Sequence, residues 1–178
     1  MQSKVLFYGL IAGLVVGAPL LGFMMATDGR PSLTYGALIG YTTMLIALST
    51  VFVAIKRQRD IEGGGVIRFW PAFGMGLAIS AVAGIIYVLA WEAALALTQV
   101  DFMAHYTQAM VAEQQAEGAS AEDIAKLRAD MAAFAESYAN PLFRLPMTFV
   151  EIFPVGLLVS LVSAALLRNP RFLPARRV

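Results

Sequence analysis

The 178 residues are 59% hydrophobic and only 14% charged, with a mean hydropathy of +0.71, which is more apolar than a soluble fold needs. We therefore expect an integral membrane protein. The chain has no cysteine, which excludes disulfides, thiol catalysis and zinc-thiolate sites, and its one histidine, His105, excludes a multi-histidine metal cluster within one chain. No metal and no cofactor are expected.

Four apolar segments are each long enough to cross a bilayer, at about residues 5–26, 34–55, 69–97 and 142–167. A helix of about 20 residues spans a hydrocarbon core of about 30 Å. A cleaved signal peptide is the alternative for the first segment, but its apolar run is longer than the roughly 7 to 15 residues typical of one. We predict a single integral membrane domain over residues 1–178.

Basic residues are concentrated in the connector between the second and third segments and in the tail after the fourth. Short loops rich in Lys and Arg are not translocated, so both termini are predicted to be cytoplasmic. The tail also carries Arg171, Arg176 and Arg177, and we interpret it as an anchor at anionic lipid and not as a nucleic-acid-binding segment. The predicted cytoplasmic anchors are Lys56, Arg57, Arg59, Arg68 and Arg168.

Residues 98–141 are acidic and predicted to be helical. Ser120 is a candidate N-cap, with Asp123 three residues on, and an apolar stripe from Ile124 to Tyr138 recurs at steps of three and four. We expect helices over residues 101–117 and 121–138 that pair as a hairpin on the extracytoplasmic side. Docking of the stripe on a partner is the alternative, and a continuous helix from the third segment into the hairpin stays open.

Small residues recur every four positions in each apolar segment. Helices in lipid gain little from apolar burial, so close backbone approach along such faces drives their association. The predicted fold is therefore an all-α membrane protein with four transmembrane helices in a compact bundle and an outer helical hairpin. The predicted packing glycines are Gly9, Gly13, Gly17, Gly36, Gly40, Gly76, Gly84 and Gly156.

Two glutamates, Glu92 and Glu151, lie inside apolar segments near the predicted outer surface. A carboxylate inside a membrane segment is costly unless it is paired or wet, which makes it a functional-site hypothesis by default. Pro154 has no N–H, so the carbonyl of Val150 loses its helical donor beside Glu151.

The candidate partners of these glutamates are Arg144, Arg30 and the hydroxyl of Tyr41. Three uses of the glutamates stay open: ion pairs that close the top of the bundle, handling of a proton or ligand, and catalysis. His105 is interpreted as a surface histidine, and Trp91 as a residue of the membrane interface rather than part of a cofactor site.

A resemblance rests on Gly40-Tyr41, the basic edge from Lys56 to Asp60, the turn Gly63-Gly64-Gly65, Phe69, the acidic outer segment and the ending Leu167-Arg168. In these features the chain resembles the bacterial membrane family called domain of unknown function 4199, over nearly its whole length. The resemblance implies four spans in a bacterial cytoplasmic membrane. It implies no established activity and no catalytic residues.

The function we expect is that of a non-enzymatic membrane module, which associates with itself or with another membrane protein through small-residue faces and the acidic hairpin. One alternative is a small proton-coupled transporter or a lipid- or small-molecule-binding protein that uses Glu151 and Glu92. A second alternative is a lipid-handling enzyme with Glu151 as acid or base. The expected partners are membrane lipids and a second copy or another membrane protein, without nucleic acid.

Overall fold

A computed structural model describes residues 2–30 and 33–175 of the chain. That part contains six helices and no strand, and Arg176 and Arg177 of the predicted anchor tail lie outside it. Four of the helices are long and apolar enough to cross a membrane, which confirms the predicted all-helical class with four candidate spans in a packed bundle. The helices are α1 Gln2–Ala26, α2 Leu33–Ile61, α3 Phe69–Thr98, α4 Phe102–Ala116, α5 Ala121–Ala139 and α6 Pro141–Leu167.

Helix α3 lies at the centre of the bundle, packed mainly against α1 and α6, and α2 contacts α1, α3 and α6. Glycines bring these helices close together. A Cβ atom added at Gly13 of α1 would lie 2.5 Å from Ile86 of α3, and one added at Gly156 of α6 would lie 2.6 Å from the Cβ of Ser80. Any side chain at these positions would push the helices apart, so the small residues define the interhelical contacts.

At the end of the bundle beside Arg59, called here the Arg59 end, helix α2 extends beyond the predicted apolar span of residues 34–55 and continues to Ile61. The basic edge from Lys56 to Asp60 is therefore helical. The chain then turns at Gly64 and Gly65, whose φ angles of 59° and 89° favour glycine. A Cβ atom at Gly63 would lie 2.2 Å from the carbonyl oxygen of Val66, so the turn is too tight for a side chain there.

At the opposite end, called the hairpin end, α4 and α5 form a helical hairpin between α3 and α6. Helix α3 ends at Gln99 with a left-handed φ of 50°, so it does not run continuously into α4. Helix α5 begins with the expected capping box, in which the Ser120 and Asp123 side chains each bond the other's backbone N–H. Asn140 caps α6, its side-chain oxygen accepting from the N–H of Leu142 at 3.0 Å.

Candidate functional site

The hairpin end of the bundle contains a cleft of about 740 Å³, lined by residues from all six helices. Helix α2 creates much of this space through its glycines. A Cβ atom added at Gly40 would meet no atom within 4 Å, whereas those of Gly9, Gly13 and Gly17 in α1 would meet side chains of α3. Gly36 and Gly40 both line the cleft, so the part of α2 that was predicted to pack a neighbour instead leaves room.

The cleft lining is aromatic and rich in methionine. It contains eight aromatic residues, five methionines, one histidine and two carboxylates, and none of the lining residues in the described part of the chain is Lys or Arg. Sites for small molecules are commonly lined in this way, with a large apolar surface and few polar groups. The aromatic members are Phe23, Tyr41, Tyr87, Trp91, Phe102, Tyr106, Phe134 and Tyr138, and the methionines are Met24, Met44, Met103, Met110 and Met147.

Glu151 of α6 supplies one of the two carboxylates and lies along the cleft wall. Its Oε2 atom accepts a hydrogen bond from the hydroxyl of Tyr87, 3.1 Å away on α3. Among the ion pairs in residues 2–30 and 33–175, none involves Glu151. A carboxylate has about four acceptor positions, so Glu151 retains the capacity to bind a further donor or a cation.

Glu92 is engaged in a different way. Arg144 of α6 binds it with two parallel hydrogen bonds, Nε to Oε1 at 2.7 Å and Nη2 to Oε2 at 2.6 Å. Such bidentate pairs are geometrically specific and stronger than neutral hydrogen bonds. One of the predicted alternatives, an ion pair with arginine, therefore describes Glu92 but not Glu151.

Arg144 also joins the hairpin to the bundle. Its Nη1 donates to the carbonyl oxygen of Tyr138 at 3.2 Å, and its guanidinium carbon lies 5.7 Å from the centre of the Tyr138 ring. The Tyr138 hydroxyl in turn accepts a hydrogen bond from Trp91 Nε1 at 2.7 Å, and burial raises the pKa of this tyrosine. These contacts tie α3, α5 and α6 together beside the cleft.

The other predicted site residues are spread over the molecule. Tyr41 lines the cleft, whereas Arg30 lies exposed in the turn after α1. Among the predicted anchors, Lys56 pairs with Asp60 and Arg59 is fully buried. Arg57 and Arg168 are exposed at the Arg59 end, as is Arg68, the residue before α3.

Most residues of the cleft lining were not predicted as site residues, among them Tyr87, Trp91 and His105. Tyr87 was hidden within an apolar run, and its spacing of four from Trp91, which places both on one helix face, is the signal that could have found it. Trp91 and His105, interpreted from sequence as interface and surface residues, both line the cleft. Their positions depend on how α4 folds back over the bundle, which local spacing does not determine.

Fold and cleft together define an all-helical protein with four candidate membrane spans and a ligand-sized cavity at one end. Residues 7–169 match the model of the family described as protein of unknown function (DUF4199), and the chain belongs to that family. No curated protein and no solved structure matches the chain.

Proposed function

We propose that this protein binds a small amphipathic molecule in the cleft at the hairpin end. The observation that carries the proposal is the cleft itself, whose volume of about 740 Å³ lies within the range of roughly 300 to 1,000 Å³ found for small-molecule sites. Its apolar lining suits a hydrophobic body, and the single hydrogen bond at Glu151 leaves acceptor capacity for a polar head.

The exposed part of the lining supports entry from the bilayer. The exposed large hydrophobic side chains of the lining belong to α2 and α6, with Tyr41 54%, Met147 44% and Val150 62% accessible. Both helices are candidate spans, so an exposed apolar edge of the cleft lies on segments that could face lipid. An amphipathic molecule dissolved in the lipid would reach the cleft sideways, without crossing the aqueous phase.

The contacts favour binding over the enzymatic and assembly alternatives. The Nε and Nη2 atoms of Arg144 bind both carboxylate oxygens of Glu92, so Glu92 is not free to act as the acid-base partner of Glu151. The small-residue faces of α1 and α6 are occupied within the chain, by Ile86 at Gly13 and by Ser80 at Gly156. Association with a second copy or another membrane protein stays a prediction.

Trp91 offers a direct test of ligand binding, because it lines the cleft and the chain has only two tryptophans. In a Trp70→Phe background, the fluorescence of Trp91 is followed in nanodiscs during titration with decanol, decyltrimethylammonium and decanoate, each below its micellar concentration. We expect a saturable change with at least one of the three probes.

Two glycine variants make the test specific. Gly40→Phe places a ring in the cleft, and Gly74→Phe adds the same ring to an exposed position on α3, where a Cβ atom also meets nothing within 4 Å. We expect Gly40→Phe to abolish the saturable change and Gly74→Phe to retain it. No saturable change in the parent protein, or an equal change in both variants, would contradict the proposed function.

A further inference from the structure

The charges of the cleft narrow the class of its ligand. Glu151 and Glu113 are the two acidic residues of the lining, and within the described part of the chain no Lys or Arg faces them from the cleft. A low-dielectric cavity with one sign of charge concentrates the opposite sign. Resting on the proposed function, we infer that the preferred ligand is a hydrophobic organic cation, a tertiary or quaternary amine with an apolar tail.

Glu151 is the group that binds the cationic head. It lies on the cleft wall, Tyr87 fixes one of its oxygens at 3.1 Å, and the remaining acceptor positions are free of protein cations in the described residues. Glu151 is exposed on a helix that is a candidate membrane span, and in a membrane a charge pair is stronger than in water. Arg144, the basic residue two turns earlier on α6, is neutralised by Glu92 and does not compete for Glu151.

The aromatic residues favour a cation over other head groups that Glu151 could bind. Tyr87 contacts Glu151 directly, Tyr41 and Trp91 line the same cleft, and faces of such rings attract ammonium groups. Methionines of the lining add a polarisable and adaptable surface for the tail. An anionic head would be repelled by Glu151 and Glu113, and the lining offers no Lys or Arg to bind the phosphate of a zwitterionic lipid.

The test compares three probes that each have a ten-carbon chain, using the fluorescence of Trp91 in the Trp70→Phe protein in nanodiscs. We expect decyltrimethylammonium to bind at least tenfold more tightly than decanol, and decanoate more weakly than either. Glu151→Gln should lower the affinity for the cation about tenfold, which is the size of effect expected for loss of one hydrogen-bonded charge. The affinity for decanol should stay unchanged.

Two further variants separate charge from structure. Glu151→Asp keeps the charge and should retain the preference for the cation within about threefold. Glu136→Gln removes the same charge from an exposed position on α5 outside the cleft lining, and should change the affinity for the cation less than threefold. A larger loss in Glu136→Gln than in Glu151→Gln, or a lost preference in Glu151→Asp, would overturn the assignment to Glu151.

The failure of this inference is distinct from the failure of the proposed function. Decanol binding that Gly40→Phe blocks, with no tighter binding of the cation, would keep the cleft as a binding site and refute the cation preference. If no probe gives a saturable signal, both conclusions are refuted.

Discussion

The two ends of the bundle handle a charged side chain in opposite ways. At the Arg59 end, the guanidinium of Arg59 is fully buried and donates to Asp60, to the carbonyl of Phe172 at 2.9 Å and to that of Leu173 at 2.5 Å. At the hairpin end, Glu151 has one hydrogen bond, from Tyr87, and borders a large cleft. Arg59 is bound by protein acceptors through all three of its side-chain nitrogens, which stabilises the fold, whereas Glu151 retains free acceptor positions for a ligand.

The tail after α6 shows how the hydrogen bonds of Arg59 stabilise this end of the bundle. Residues after α6 fold back onto α2, where the ring of Phe172 meets that of Phe52 edge-on at 6.4 Å and Arg59 binds two successive carbonyl groups. The Arg59 end is thereby closed by the chain's own backbone. The comparison predicts large stability effects at this end and ligand-binding effects at the other.

The largest effect is expected for Arg59→Met, because the fully buried guanidinium supplies the hydrogen bonds to Asp60 and to the carbonyls of Phe172 and Leu173. Hydrogen bonds to a charged group contribute roughly 1.5–3 kcal/mol each, and Asp60 keeps its pair with Lys56, so we expect a total loss of about 3 kcal/mol. Unfolding by sodium dodecyl sulfate in mixed micelles would measure this loss. Arg57→Met is the control, since its side chain is exposed, and should cost under about 0.5 kcal/mol. Equal stabilities of the two variants would contradict the claim that the hydrogen bonds of Arg59 stabilise this end of the bundle.

The next effect concerns the close contacts of the bundle below the cleft. Gly156→Leu inserts a side chain where a Cβ atom already lies 2.6 Å from Ser80, and overpacking of this kind costs about 1–3 kcal/mol. Gly74→Leu, at a position with open space around the Cβ, should leave the free energy of unfolding nearly unchanged. The same micelle unfolding assay applies, and a cost at Gly74 that matches that at Gly156 would contradict the packing account.

A local effect is expected at the hairpin end from Arg144→Met. The variant loses both bonds to Glu92 and the bond to the Tyr138 carbonyl, which is about 1–2 kcal/mol for a partly exposed charged network. Because these contacts hold α5, amide hydrogen exchange should accelerate mainly in residues 121–139. Arg128→Met is the control, because Arg128 is exposed on α5. Uniform acceleration over all six helices would refute a local role.

The smallest effect is a dependence on pH at the Arg59 end. Hydrogen bonds from Lys4 and Gln58 hold the pKa of Glu62 below its usual value. A lowered pKa in the folded state stabilises the protein above the ordinary glutamate pKa of about 4.3, and that contribution is lost as the pH falls through the folded-state pKa. The difference in stability between the parent protein and Glu62→Gln should therefore shrink from pH 6 to pH 3. A difference that stays constant over that range would contradict the pairing.

The sequence predicts the spans and the hairpin well, because both depend on local signals. The Ser120 capping box and the Asn140-Pro141 break have fixed residue patterns, and the helices begin and end within about two residues of the expected positions there. Helix α2 continues six residues beyond the predicted apolar span of residues 34–55, through the basic edge. Charged residues continue a helix readily when its last turn reaches water.

The cleft could be predicted only in part. Glu151 and Tyr41 were found because polar groups in apolar segments are costly and therefore informative. His105 could not be placed, because its position depends on where α4 packs relative to α2 and α3. The spacing of Tyr87 relates it to Trp91 but not to Glu151, which lies on another helix. The open space at Gly40 could not be predicted either, because small residues every four positions are compatible both with close packing against a neighbour and with open space beside the helix.

The central claim is that the cleft at the hairpin end holds an amphipathic ligand, and photolabelling tests it most directly. A decyltrimethylammonium probe with a diazirine at the tail end is irradiated with the protein in nanodiscs, and the labelled residues are mapped by mass spectrometry. We predict labelling concentrated around Tyr41–Met44 and Met147–Glu151, and its loss in Gly40→Phe but not in Gly74→Phe. Labelling spread evenly over exposed residues of the candidate spans, such as Leu45 and Leu158, and unchanged in Gly40→Phe, would contradict the claim.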